Sequence, residues 1–140
     1  MKPIPDTQDS SVLRTDFSDD AAWQALCEAI EAPEPDYGYQ AYVEFINDRD
    51  FEGMTVEAVL ASIPENWRHS FLFIVDQKAI VDSDHPVLVV DLYHEPGRTF
   101  RVVPGEMWGV ENNLSLANMD WEDFADNVDA DGVFRGYASL

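Results

Sequence analysis

The stretch Ser70-Phe71-Leu72-Phe73-Ile74-Val75 decides the fold. It has the length of a strand, is apolar without alternation from Phe71 onward, and is bounded by polar residues, the pattern of a strand covered on both faces. It therefore belongs in the middle of a sheet with helices on either side. Working towards the N-terminus, Val56, Val59, Leu60 and Ile63 repeat at helical spacing between a cap at Thr55 and a stop at Pro64, giving a helix of about two turns. Tyr39–Ile46 is rich in aromatic and branched residues and reads as a strand. Before it, Trp23, Leu26, Cys27 and Ile30 form one helical stripe, with Ser18 as cap, Asp19 and Asp20 in the first turn, and an end near Glu31 ahead of Pro33 and Pro35. Residues 11–16 read as the first strand, and residues 1–10 as a flexible arm.

Towards the C-terminus, Val87–Tyr93 and Thr99–Val103 form a hairpin around Glu95-Pro96-Gly97-Arg98, which places Pro and Gly as a type II turn wants them. Met107, Val110 and Leu114 suggest a short helix, and Asp120 caps another carrying Trp121, Phe124, Ala125 and Val128, followed by a turn-like end. The reading is one α/β domain over residues 11–140. It has a mixed sheet of about five strands, a βαβαβ N-terminal part whose strands run parallel through right-handed crossovers, a β-hairpin and C-terminal helices.

The 140 residues are 46% hydrophobic, enough for a core, while 28 acids against 8 bases give a net charge of −20. That sign excludes binding of nucleic acid or anionic membrane through a basic surface. No secretory signal or bilayer-length apolar run is present, so a soluble, cytoplasmic protein is expected. The lone Cys27 lies on an apolar helix face and reads as core.

Three constellations carry candidate chemistry. Asp16 and Asp76 each end a strand, Asp19 and Asp20 open the helix after the first, and Asp91 lies in the fourth strand; the carboxyl ends of parallel strands form a crevice that can hold a divalent metal through oxygen ligands, with Asp16 and Asp76 the candidates. Against this, no Gly-rich phosphate loop is present and Lys78 is expected in a loop. Asn127-Val128-Asp129-Ala130-Asp131-Gly132 starts like a calcium loop, but Ala138 stands where a bidentate Glu is needed, so an Asp-Gly turn is expected. Arg14, Arg101 and Arg135 sit inside structured runs, either in internal ion pairs or converging on an anionic ligand. His69, His85 and His94 match no catalytic or metal spacing. No cofactor is expected.

The blocks Leu13-Arg14-Thr15-Asp16-Phe17 with Trp23, Phe100-Arg101-Val102-Val103-Pro104, Asn113-Leu114-Ser115-Leu116-Ala117-Asn118-Met119-Asp120 and Gly132-Val133-Phe134-Arg135-Gly136 resemble a family of small bacterial proteins known as domain of unknown function 6924. The resemblance spans roughly residues 11–136. It implies a bacterial origin and carries over no active site.

The acids are regionally concentrated, and Glu122, Asp123, Asp126 and Asp129 lie off the apolar stripe of the last helix, forming a negative face. Two functions follow. The first is a non-enzymatic module whose acidic face docks a basic protein, as an immunity protein neutralises a nuclease-like toxin, with exposed Trp or Tyr as anchors. The second is a small metal- or anion-binding enzyme using the strand-end aspartates and an arginine.

Overall fold

The computed structural model describes residues 2–137. Eleven elements follow in chain order: β1 (Ser10–Arg14), α1 (Asp20–Glu31), β2 (Val43–Ile46), α2 (Val56–Ala61), β3 (Phe71–Val75), α3 (Gln77–Val81), β4 (Val87–Asp91), β5 (Thr99–Val102), α4 (Met107–Ser115), α5 (Trp121–Ala125) and β6 (Val133–Phe134). They build one α/β domain around a six-stranded mixed sheet of order β2-β1-β3-β4-β5-β6. β1 pairs parallel with β2 and with β3, so the three N-terminal strands share a direction. β4 is antiparallel to both β3 and β5, and β6 closes the far edge parallel to β5. The apolar run at β3 lies inside the sheet, with all five residues buried.

Alternation along the strands divides the core in two. Val12, Phe71, Phe73, Val89 and Phe100 point to the face covered by α1, α4 and α5. Leu13, Leu72, Ile74, Leu88 and Val90 point to the other face, where Val59 of α2, Phe51 and Ile4 cover them. A six-residue helix cannot cover that face alone, and this explains the behaviour of the N-terminus. Residues 2–9, expected as a loose arm, are docked: Ile4 is fully buried, and its N–H donates to the Ser62 carbonyl at 2.9 Å. Lys2 pairs with Asp48 and Arg68 with Asp6, fixing the segment on both sides.

Several local expectations are corrected. The cap of α1 is Asp19, accepting from the Ala22 N–H, while Ser18 donates to Asp16. Lys78 lies in α3, not in a loop, and pairs with Asp82 one turn on. The second strand begins only at Val43, because the segment before it is hydrogen-bonded to α4. The expected type II turn does close the hairpin, with the Arg98 N–H on the Glu95 carbonyl and Gly97 at φ +100°. Cys27 is buried in the core, and burial pushes its thiol up to about 12, leaving it unreactive. Among the described residues no helix is long and apolar enough to cross a membrane.

Candidate functional site

Prolines 33 and 35 stop α1, and the loop that follows is folded by one side chain. The Glu34 carboxylate accepts from the N–H groups of Asp36, Tyr37 and Tyr39, and the Glu34 N–H closes on the Tyr39 carbonyl at 2.8 Å. Gly38 takes φ +78°, which this tight loop requires. The loop raises Tyr37 (80% exposed) and Tyr39 (50% exposed) above the surface. Tyr39 then stacks on Trp108 of α4 at 5.0 Å between ring centroids, and Tyr37 leans on Tyr39 at 5.7 Å.

The fastening comes from Glu111, which is buried and faces the approach to β2. Its carboxylate accepts from the Tyr42 N–H at 2.7 Å, from Ser115 Oγ at 2.7 Å and from Ser10 Oγ at 3.1 Å. Asn112 adds a bond from Nδ2 to the Gln40 carbonyl. The tyrosine loop and α4 are thereby one unit.

The opposite wall follows β6, where Tyr137 packs edge-on against Phe134 at 5.1 Å and donates its hydroxyl to the Asp123 carbonyl. Between the walls lies a cavity of about 540 Å³. Glu106 borders it from the junction of the Pro104–Glu106 3-10 turn with α4. Although Glu106 holds the N-cap position of α4, its side chain makes no capping bond. Its carboxylate instead lies against Gly136, where a β-carbon would come within 2.7 Å of Oε1. It accepts no hydrogen bond and joins no ion pair among the described residues. Burial, and then the charge of Glu34, raise its pKa above the ordinary carboxylate value. For Glu34 itself burial acts upward, but the backbone N–H groups of its loop outweigh it and hold the carboxyl low. The site thus combines an ionised carboxylate, a second, half-buried one whose pKa is raised, and a stacked aromatic wall.

The residues singled out by sequence lie elsewhere. On and after α5, Glu122, Asp123, Asp126 and Asp129 are exposed, but two carry their own counter-charge. Glu122 pairs with Arg98 at 2.7 Å, and Asp129 pairs with Arg135 at 2.7 Å while also accepting from the Asp131 and Val133 N–H groups. Both pKa values are lowered accordingly, by the arginine first. Asp123 completes a capping box with Asp120, and Asp126 has no ionic partner among the described residues. The calcium-like start is therefore an Asp-Gly turn with Gly132 at φ +80°.

The three arginines do not converge. Arg14, buried, lies over the rings of Phe17 and Trp23 and pairs with Asp20 at 2.8 Å. Arg101 forks onto Asp76 through Nη1 at 3.0 Å and Nη2 at 2.7 Å. Arg135 bridges Asp129 and Asp84. Asp16 and Asp76 do border one crevice of about 530 Å³ at the ends of β1 and β3. Yet Asp76 is occupied by Arg101 and by the Ala79 N–H, and Asp16 by Ser18. Among the described residues no three His, Cys, Asp or Glu side chains gather to hold a metal ion.

Sequence reasoning missed Glu34, Tyr37, Tyr39, Glu106 and Trp108. The available signal was the run Pro33-Glu34-Pro35-Asp36-Tyr37-Gly38-Tyr39, whose prolines and glycine make a loop that exposes its aromatics. No curated protein matches the chain. A family model described as a domain of unknown function (DUF6924) matches residues 9–137, and with nearly the whole described fold inside that match, the chain belongs to this family.

Proposed function

We propose that this chain is a non-enzymatic protein-binding module that docks a basic partner. One observation carries the reading: all eight Lys and Arg side chains are already engaged in internal ion pairs, which occupy twelve of the 28 acids. The remaining carboxylates have no cation of their own, and their summed field attracts a positively charged surface. Solubility alone needs such a charge but not an open aromatic groove beside it. Neutralising a basic toxin, as an immunity protein does, is one form this role takes. A cytoplasmic setting suits the single, unoxidised Cys27. The enzymatic alternative has less support, since the strand-end carboxylates Asp16 and Asp76 are spent on local hydrogen bonds and on Arg101.

The test is capture of partners at low salt, followed by association kinetics with each identified partner. A basic partner is expected, with an on-rate that falls about tenfold or more between 50 and 500 mM NaCl while the off-rate changes much less. Neutral or acidic partners only, or a complex indifferent to salt, would remove the reading.

A further inference from the structure

We propose that the groove between the Tyr37–Tyr39 loop, Glu106 and Tyr137 is the receptor for one arginine side chain, carried on a short segment of the partner protein. The inference rests on the reading of the chain as a module for a basic protein and assigns the point of contact.

Three features of the groove select the occupant. The first is charge. Glu106 and Glu34 both border the cavity, and none of the eight basic side chains of the chain lines it. Each base has its own carboxylate elsewhere, so a cation that pairs with Glu106 comes from outside the chain. The second is the geometry of that carboxylate. Beside Gly136, lining the cavity and without a donor among the described residues, it is a carboxylate that a planar guanidinium can meet with two parallel N–H bonds. A lysine ammonium would use it as a point charge and leave the second oxygen unmet. The third is the wall. Tyr39 and Trp108, stacked on each other at an interplanar angle of 25°, both line the cavity and give it an aromatic surface. A guanidinium stacks on such a surface while its alkyl stem covers the ring edges.

The cavity of about 540 Å³ holds more than one side chain, which is why the arginine arrives on a peptide segment. The chain already shows the same chemistry internally. Arg14 lies 4.3 Å from the Phe17 centroid and 5.0 Å from that of Trp23 while pairing with Asp20, an arginine held by aromatic faces and a carboxylate. In the groove the acid and the aromatic wall are present and the arginine is not.

Two short peptides test the inference on the intact chain: acetyl-Gly-Arg-Gly-amide, and the same peptide with citrulline, which keeps the shape of arginine without its charge. Binding is followed by chemical shifts of the Trp108 indole and the Gly136 amide. The arginine peptide should saturate those two signals, the citrulline peptide should bind at least tenfold more weakly, and a lysine peptide should fall between them. Glu106→Gln, which keeps volume and removes charge, should abolish the difference between arginine and citrulline, and Tyr39→Leu should weaken both peptides. Glu57→Gln, at an exposed position on α2, should leave the titration unchanged. Equal binding of arginine and citrulline, arginine selectivity that survives Glu106→Gln, or shifts spread over the acidic surface without saturation would each overturn the proposal. Its failure is separable from that of the docking reading. A basic partner whose on-rate keeps its salt dependence in the Glu106→Gln variant would remove the arginine receptor and leave the module. Saturable arginine binding in the groove, combined with a partner that is not basic, would do the reverse.

Discussion

Glu106 and Glu111 stand on one stretch of chain in opposite circumstances. Glu111 is the more deeply buried, yet its carboxylate meets hydroxyl, amide and backbone donors. Glu106 is less buried but meets no donor, and it faces the ionised Glu34. For an acid whose folded pKa lies above its unfolded value, the folded state binds the extra proton in the window between the two. Stability therefore falls as pH rises through that window, and at neutral pH the whole cost is present. Glu106→Gln is expected to raise the melting temperature at pH 7 by about 1–4 °C, a gain that shrinks to nothing below the unfolded carboxylate range. Calorimetry at pH 7 and pH 4 checks it, and a loss of stability at pH 7 would show that the carboxylate makes a favourable interaction. A residue that costs stability and lines an open groove is the kind a binding role retains. Nothing in Pro104-Gly105-Glu106-Met107-Trp108 signals this. Helix-start chemistry predicts that an acid at that position caps its helix, but the Pro104–Glu106 3-10 turn runs directly into α4 and leaves Glu106 at φ −107°, ψ 0° instead of the extended backbone of a capping residue.

The elements that sequence reveals are those whose pattern is long enough to repeat. β3, β4, the stripe of α1 and the Pro-Gly hairpin turn were all legible, since each rests on local periodicity or turn chemistry. The elements that were missed depend on distant neighbours. β6 has two residues and exists only because β5 offers an edge, and α3 has a single turn after the cap Asp76. The expected strand from Tyr39 is shortened because Glu111 and Asn112 claim the backbone at Gln40 and Tyr42. The candidate groove was illegible for the same reason, its walls coming from residues 34–39, 105–109 and 134–137. This coupling is testable. Glu111→Ala removes the acceptor from Tyr42, Ser10 and Ser115 together, leaving buried donors unmet, and is expected to destabilise the fold by about 2–4 kcal/mol. Because the tyrosine loop is fastened there, the variant should also change the fluorescence of Trp108, read against a Trp108→Phe background. A full-strength fold with an unchanged Tyr39–Trp108 contact would mean that the loop is held by its own Glu34 turn.

At the scale of the whole molecule, the −20 charge is unevenly compensated, with twelve acids in ion pairs and most of the rest exposed to solvent. Self-repulsion of this size destabilises the compact state and is screened by salt within about 10 Å at 0.1 M. Two groups of carboxylates then act in opposite directions as pH falls. Burial and the charge of Glu34 raise the pKa of Glu106, so as pH falls it takes up its proton before an ordinary carboxylate and the stability its charge costs is regained. Asp91 and Asp84 keep their charge longer. Burial opposes ionisation of Asp91, but the N–H groups of Tyr93 and Glu95 and the guanidinium of Arg98 outweigh it and lower its pKa. Asp84 is lowered by Arg135 in the same sense. A depressed folded pKa contributes stability above the unfolded value and loses it as pH falls through the folded one, so the hairpin held by Asp91 fails only in strong acid. The expected melting-temperature profile at low salt is a modest rise as pH falls through the range where Glu106 takes up its proton and a steep loss in strong acid, while 0.3 M NaCl at pH 7 raises the melting temperature by screening the unpaired charges. Magnesium at matched ionic strength should act as sodium does, since the two strand-end carboxylates Asp16 and Asp76 are already bonded. A saturable, divalent-specific rise abolished by Asp76→Asn would instead show that the crevice at the ends of β1 and β3 takes up a metal, releasing Arg101. A melting temperature at pH 7 that is indifferent to salt would mean that the unpaired acids lie too far apart to repel, and with that the field invoked to attract a basic partner would lose its physical basis.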